Sequence, residues 1–162
     1  MIIKNKGMFL ETLINNSISL LNDNQGFIYK MPVNNSIISI EDNIVTARLN
    51  KNYFCDYIGL WNGVYLEFEA KETEKEFFNL NNIKKNQLEK LLLVDKNSGC
   101  GFILIYFHLY EKLFLLNIRE LKELKNKKIP FSYFQDNFLE INLNGINFDF
   151  NEIFNHLVSY TL

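Results

Sequence analysis

Two carboxylates and a lysine near the middle of the chain have the residue types and the spacing that suit phosphodiester hydrolysis. Asp56, Glu69 and Lys71 all lie in the segment CDYIGLWNGVYLEFEAKET, residues 55–73. Mg²⁺ prefers carboxylate oxygens, and a divalent cation can neutralise the charge that develops on a phosphate under attack. A nearby lysine adds positive charge and can orient or deprotonate the attacking water. These three residues are therefore candidates for metal-dependent cleavage of nucleic acid.

A β-hairpin is needed to bring the three residues together. Asn62 and Gly63 form a dipeptide that favours a tight hairpin turn. They separate two β-rich runs, Tyr57–Leu60 and Val64–Ala70. Pairing of these runs would place Asp56, at the start of the first run, beside the end of the second.

Strand alternation sets the direction of the side chains in the second run. Glu67, Glu69 and Lys71 share one face, whereas Phe68 and Ala70 point into the core. An acid-x-lysine triplet is also found as a solvent-facing stripe on a half-buried strand, so the triplet alone does not decide between the two interpretations. The hairpin and the upstream acid favour the catalytic one.

Hydrophobic periodicity predicts further helices and strands around this hairpin. The expected helices are Gly7–Asn22, one capped by Asn82 that runs to Lys96, Ile118–Lys125 and Phe150–Tyr160. The other expected strands are Phe27–Tyr29, Ser36–Ile40, Ile44–Leu49, Phe102–Phe107 and Leu113–Asn117, with a polar turn at residues 41–43. A helix followed by a buried strand indicates an α/β fold. No Pro/Gly/Ser-rich linker divides the chain, so we expect one domain over residues 1–162.

The composition excludes several classes of protein. With 48% hydrophobic residues the chain is too apolar to be disordered, and no apolar run is long enough to cross a membrane. A net charge of -2 argues against nonspecific coating of nucleic acid. Cys55 and Cys100 lack the spacing of a zinc site or a disulfide framework. Met1–Gly7 lacks the pattern of a signal peptide, so we expect a cytoplasmic protein.

Six segments, taken in order, resemble the RecU-type Holliday junction resolvases, a branch of the restriction-endonuclease-like superfamily. The segments are KGMFLETLIN (6–15), YKMP (29–32), CDYIG (55–59), YLEFEAKET (65–73), NIKKNQ (82–87) and GCGFILIYF (99–107). They cover most of residues 6–120, whereas the C-terminal third is similar only in general character.

The resemblance implies a restriction-endonuclease-like α/β core, in which a mixed central sheet is flanked by helices and a β-hairpin stalk projects at residues 34–52. It also implies a Mg²⁺-dependent endonuclease, with Mn²⁺ able to substitute, that makes paired symmetric nicks in four-way DNA junctions during recombination and repair. Such enzymes act as homodimers because a junction has two-fold symmetry. Other recombination proteins are expected as further partners.

The resemblance also assigns roles to individual residues. Asp56 and Glu69 would be metal ligands, Lys71 the catalytic lysine, Glu11 an acid presented by the first helix, and Gln87 an orienting residue. Each has an alternative: Glu11 as a solvated helix carboxylate, Gln87 as a surface amide and Asp56 as a turn cap. The tip of the stalk is acidic and would contact phosphate poorly. Contacts to DNA are therefore expected from Lys4, Lys6, Lys30, Arg48 and Thr73.

At two positions the chain departs from the pattern that the family commonly shows. Cys55 replaces a threonine, and Glu67 replaces an aspartate. Cys55 either packs beneath the sheet or turns toward the substrate phosphate. If these changes weaken catalysis, the chain would be a junction-binding accessory protein. A sequence-specific restriction nuclease is a third interpretation, but it needs a base-reading element that the sequence does not reveal.

Overall fold

The computed structural model describes residues 8–159. The α-helices within these residues are α1 (Met8–Ile18), α2 (Lys85–Lys96), α3 (Ile118–Leu121), α4 (Phe131–Asn137) and α5 (Phe150–Ser159). The strands are β1 (Gly26–Lys30), β2 (Asn35–Glu41), β3 (Ile44–Leu49), β4 (Tyr57–Trp61), β5 (Val64–Thr73), β6 (Phe77–Asn79), β7 (Cys100–Phe107), β8 (Lys112–Asn117), β9 (Lys128–Pro130), β10 (Leu139–Ile141), β11 (Leu143–Asn144) and β12 (Asn147–Phe148).

A mixed sheet of six strands, in the order β1-β4-β5-β7-β8-β10, forms the centre of the molecule. β5 and β7 are parallel, from the pair Leu66 and Cys100 to the pair Thr73 and Phe107, and the other neighbours are antiparallel. A parallel pair needs a crossover connection, and here α2 provides it. The predicted α/β fold with a mixed central sheet is confirmed.

Helices cover both faces of this sheet, so its middle strands are buried on both sides. α1 and α5 pack on one face, and α2 to α4 pack on the other. Phe68 of β5 has no exposed surface and stacks between Tyr57 and Phe102, with ring centroids 4.8 and 4.7 Å away. Buried aromatic side chains contribute strongly to stability. This packing fixes the position of β5, the strand that carries Glu69 and Lys71.

β2 and β3 pair as an antiparallel hairpin, which is a two-stranded sheet separate from the central one. Its turn residues Asp42 and Asn43 both have positive φ angles, 46° and 64°, which suit a two-residue hairpin turn. Ser39 is the one partly buried residue of the two strands, and all the others are exposed. The exposed side chains include six large aliphatic residues: Ile37, Ile38, Ile40, Ile44, Val45 and Leu49.

Several predicted helix boundaries were wrong. α1 ends at Ile18 rather than Asn22, in a stretch rich in Asn and Ser, which favour turns over helix interiors. α2 begins at Lys85 with Lys84 as its N-cap, and Asn82 instead ends a short 3₁₀ helix. α3 ends at Leu121 rather than Lys125.

The sequence did not predict β6, β9, α4 or β10. These short elements complete the core, because Phe134 of α4 is fully buried and β10 is the edge strand that pairs with β8. None of the described helices is long and apolar enough to span a membrane.

Candidate active site

The β4–β5 hairpin brings Asp56 next to Glu69, as predicted. Asn62 and Gly63 form its turn with φ angles of 46° and 81°, and Tyr57 pairs with Phe68. Asp56 immediately precedes β4, so the same register carries it to the level of Glu69. The backbone N–H of Ala70 donates to Asp56 Oδ2 at 3.1 Å, which holds the aspartate against β5.

Lys71 and Gln87 contact the same oxygen of Glu69. Lys71 Nζ lies 3.0 Å from Glu69 Oε2, and Gln87 Nε2 donates to that oxygen at 2.7 Å. Gln87 Oε1 in turn accepts the N–H of Lys84 at 2.9 Å, so both ends of the Gln87 amide are engaged. Gln87 is thus fixed at the start of α2 and is not a free surface amide.

Burial controls the electrostatics of this cluster. Glu69 is 1% exposed, and this burial raises the pKa of its carboxyl from the ordinary 4.5 to about 7. The negative charge of Asp56 contributes to this rise, and Lys71 opposes it. A carboxylate in these surroundings is stabilised by any cation that approaches it.

The interpretation of the acid-x-lysine triplet as a solvent-facing stripe is wrong. Glu67 is 0% exposed, and the side chain of Lys71 is 18% exposed. The polar face of β5 lies beneath α2, so these charged groups are buried in the protein. Taking charged groups out of water costs free energy even when they are paired, so their placement needs a reason beyond solubility.

The donor set suits a hard divalent cation. The carboxylates of Asp56 and Glu69 lie close enough to raise the pKa of Glu69, so one cation could be held by both. Within residues 8–159 no three His, Cys, Asp or Glu side chains gather as a metal cage. Mg²⁺ is usually bound through one or two carboxylates and keeps several waters. Asp56 and Glu69 therefore offer the hard oxygen ligands that a divalent cation of this kind prefers.

An open cleft lies at the end of β5, and Lys71 is the residue of the cluster that lines it. It has a volume of about 820 Å³, and both signs of charge line it: Lys71 and Lys75, and Glu72, Glu74 and Glu111. Lys71 borders this cleft and also contacts the buried Glu69. Lys71 is thus the connection between the buried carboxylates and a space that is open to a substrate.

Comparison with known families identifies the chain. The family model RecU, described as Recombination protein U, matches residues 5–156. The chain belongs to the RecU family. Relatives named Holliday junction resolvase RecU include one from Ureaplasma parvum serovar 3, which is 39% identical over 86% of this chain and 85% of its own length. Another, from Mycoplasmopsis pulmonis, is 34% identical and covers 88% of both chains.

The solved structure of a more distant protein has a fold similar to that of this chain. It is Archaeoglobus fulgidus Hjc, a Holliday junction resolvase, with a TM-score of 0.50 and 14% sequence identity. The match covers 79% of this chain and 93% of Hjc. The structural similarity supports the restriction-endonuclease-like core. At this sequence identity it does not assign roles to individual residues.

The two departures from the RecU pattern lie in contact with each other. Cys55 is 2% exposed, and Glu67 Oε1 accepts its backbone N–H at 2.6 Å. Burial, together with the carboxylates of Glu69 and Glu67, raises the pKa of the Cys55 thiol well above its ordinary range. Cys55 is therefore buried in the protein, with its thiol near Glu69.

The other residues predicted for the site have varied positions. Glu11 forms an ion pair with Lys30 at the surface, with 35% and 46% of their side chains exposed. Arg48 is exposed on β3, in the separate hairpin. Thr73 is 8% exposed, and its hydroxyl donates to Phe77 O at 3.0 Å, so it stabilises the turn after β5. Lys4 and Lys6 lie outside the described residues.

Sequence reasoning missed two side chains beside this cluster. Tyr65 and Lys90 both contact Glu67, the first through a 2.7 Å hydrogen bond and the second at 3.7 Å. The spacing of Lys90 from Gln87 was the available signal, because residues three apart lie on one face of a helix.

Proposed function

We propose that this RecU-family protein is an endonuclease that resolves four-way DNA junctions with Mg²⁺ as cofactor, and that Mn²⁺ can substitute. The observation that carries the proposal is the buried cluster in which Glu69, next to Asp56, contacts both Lys71 and Gln87. The names of the relatives support the substrate, since several are called Holliday junction resolvases. In this proposal a DNA strand enters through the open cleft that Lys71 borders, and the glutamates that also line this cleft keep it from binding phosphate strongly by itself.

Each residue of the cluster has a distinct task in this proposal. Asp56 and Glu69 hold Mg²⁺, which when bound would neutralise the phosphate and favour attack by water. Gln87 keeps the Glu69 carboxylate in a fixed orientation through Oε2. Lys71, at the border of the cleft, stabilises negative charge on the phosphate and orients the attacking water. Lys71 can do both because its ammonium group is close to Glu69 and partly exposed.

We further propose that the active form is a homodimer with the β2–β3 hairpin as its stalk. Two related sites are needed to nick opposing strands symmetrically, and an isologous dimer provides them. An isolated two-stranded hairpin is only marginally stable in water, and this one exposes six large aliphatic side chains. Contact with a second subunit or with the junction would cover them. Lys30 and Arg48, at the surface near and on the stalk, would then contact DNA phosphates.

The test is cleavage of a synthetic four-way junction with Mg²⁺, with a linear duplex of the same sequence as control. Paired symmetric nicks in the junction are expected. Asp56→Asn, Glu69→Gln and Lys71→Ala should each reduce the rate by at least about 10³ and leave junction binding in Ca²⁺ intact, since they remove transition-state stabilisation. Matched controls are Glu89→Gln and Lys85→Ala, at the exposed pair of α2. Binding without cleavage, or preference for the linear duplex, would contradict the proposal.

A further inference from the structure

Glu67 is a charged side chain with no exposed surface, and the proposed chemistry does not use it. It lies on the same face of β5 as Glu69 and Lys71, two residues before Glu69. A buried carboxylate is tolerated only where partners compensate for the loss of water. The partners of Glu67 therefore indicate what it does.

Both oxygens of Glu67 are engaged. Oε2 accepts the hydroxyl of Tyr65 at 2.7 Å and lies 3.7 Å from Lys90 Nζ. Oε1 accepts the backbone N–H of Cys55 at 2.6 Å. The side chain thus connects β5 to the residue that comes directly before Asp56.

The Cys55–Asp56 segment lies outside the regular strands, because β4 begins only at Tyr57. It is held by individual hydrogen bonds, three of which join it to neighbouring segments. Met31 N–H donates to Asp56 O at 2.8 Å, and Ala70 N–H donates to Asp56 Oδ2 at 3.1 Å. The third bond is the one from Cys55 N–H to Glu67, which is charge-assisted and so stronger than a neutral pair.

α2 places its side chains to match the carboxylates of β5. Gln87 contacts Glu69, and Lys90, three residues later on the same helix face, contacts Glu67. Lys90 also lies 4.9 Å from the centroid of the Phe54 ring, which limits its freedom. The two contacts fix Glu67 and Glu69 with respect to one helix.

We propose that Glu67 is a positioning residue that holds the Cys55–Asp56 peptide and thereby sets the distance between the Asp56 and Glu69 carboxylates. Tyr65 and Lys90 keep the Glu67 carboxylate in the orientation that reaches Cys55. Glu67 itself does not touch the metal or the DNA. The inference rests on the proposed function in taking Asp56 and Glu69 as the metal ligands.

The test is Mn²⁺ binding, measured by electron paramagnetic resonance, for the wild type, Glu67→Gln and Glu67→Leu. Glu67→Leu cannot accept the Cys55 N–H, and we expect Mn²⁺ affinity to fall by at least about tenfold, as for other groups that orient a metal ligand. Glu67→Gln keeps an acceptor oxygen, so its Mn²⁺ affinity should fall by about threefold or less. Glu89→Leu, the same change at an exposed position of α2, should bind as the wild type does.

A folded Glu67→Leu protein with wild-type Mn²⁺ affinity would overturn the inference. The proposed function is tested separately, and it would still hold in that case if the wild type cleaves the junction. If Glu67→Leu does not fold, the Tyr65→Phe, Lys90→Met double variant takes its place. It leaves Glu67 present but removes its two outer partners, and affinity should fall by about threefold to tenfold. Unchanged affinity in that variant would also overturn the inference. Absence of Mn²⁺ binding in the wild type would instead contradict the metal site itself.

Discussion

Replacement of Glu69 by glutamine should stabilise the metal-free protein at alkaline pH while it abolishes cleavage. In the native protein burial and the charge of Asp56 oppose ionisation of Glu69, and its pKa is about 7. Glutamine has nearly the same shape, and its amide oxygen can still accept from Gln87 and Lys71. The substitution therefore removes a buried charge without creating a cavity.

The size of the effect of pH on stability follows from the difference between the pKa of Glu69 in the folded protein and in the unfolded chain. In the unfolded chain Glu69 titrates near its ordinary pKa of 4.5, so the folded value is higher by about 2.5. Between these values the folded protein holds a proton that the unfolded chain has lost, so stability falls as pH rises through this window. The total is about 3 kcal/mol, at about 1.4 kcal/mol for each pH unit. Glu69→Gln is free of this loss.

The measurement is urea unfolding in EDTA at pH 4.5 and at pH 8, followed by circular dichroism. We compare the free energy of unfolding of Glu69→Gln with that of the wild type at each pH. The difference in favour of Glu69→Gln should be larger at pH 8 than at pH 4.5 by about 3 kcal/mol, equivalent to about 6–12 °C in melting temperature. Glu89→Gln, on the exposed face of α2, should show no such difference. Added Mg²⁺ should raise the melting temperature of the wild type but not of Glu69→Gln. Equal pH dependence in the two proteins would refute the reasoning.

Three further predictions follow from the contacts in and near the cluster. Gln87→Ala should lower Mg²⁺ affinity and the cleavage rate about 10- to 100-fold, because Glu69 loses its orienting donor. A Gln87→Ala protein as active as the wild type would show that Lys71 alone is enough to orient Glu69. Deletion of residues 35–48 with a short Gly linker should preserve the thermal unfolding transition, because the hairpin is a separate sheet, but should reduce preference for junctions over duplex in a binding assay. Cys55→Thr should be more stable than Cys55→Val by about 1 kcal/mol at pH 8 in EDTA, since its hydroxyl can donate to Glu69; equal stabilities would mean that the hydroxyl does not reach it.

The sequence was sufficient to predict those parts of the site that depend on local geometry. The Asn62–Gly63 turn fixed the hairpin register, and strand alternation then put Glu69 and Lys71 on one face. The resemblance added Gln87, which no local rule would have connected to β5. The catalytic roles of these residues stay predictions until the variants are measured.

Other features depend on tertiary contacts that a single sequence does not specify. The burial of Glu67 was not predicted, because the same triplet on an edge strand would face solvent. Its contact with Lys90 requires both the start of α2 at Lys85 and the position of α2 across β5. β10 is a strand of three residues that forms only because β8 offers it an edge. Periodicity has too few residues to detect an element of that length.

β5 carries opposite energetic contributions on its two faces, and their sizes explain how the site can be maintained. On one face the ionised Glu69 lowers stability by about 3 kcal/mol at alkaline pH, from the rise in its pKa. On the other face Phe68, between Glu67 and Glu69 in sequence, is fully buried and stacked on two rings. Burial of one such side chain contributes about 1.5–3 kcal/mol, and aromatic pairing adds about 0.5–1.5 kcal/mol. Since strand neighbours alternate, the aromatic face can hold β5 in place without approaching the carboxylates, and the acids remain close together until a cation neutralises them.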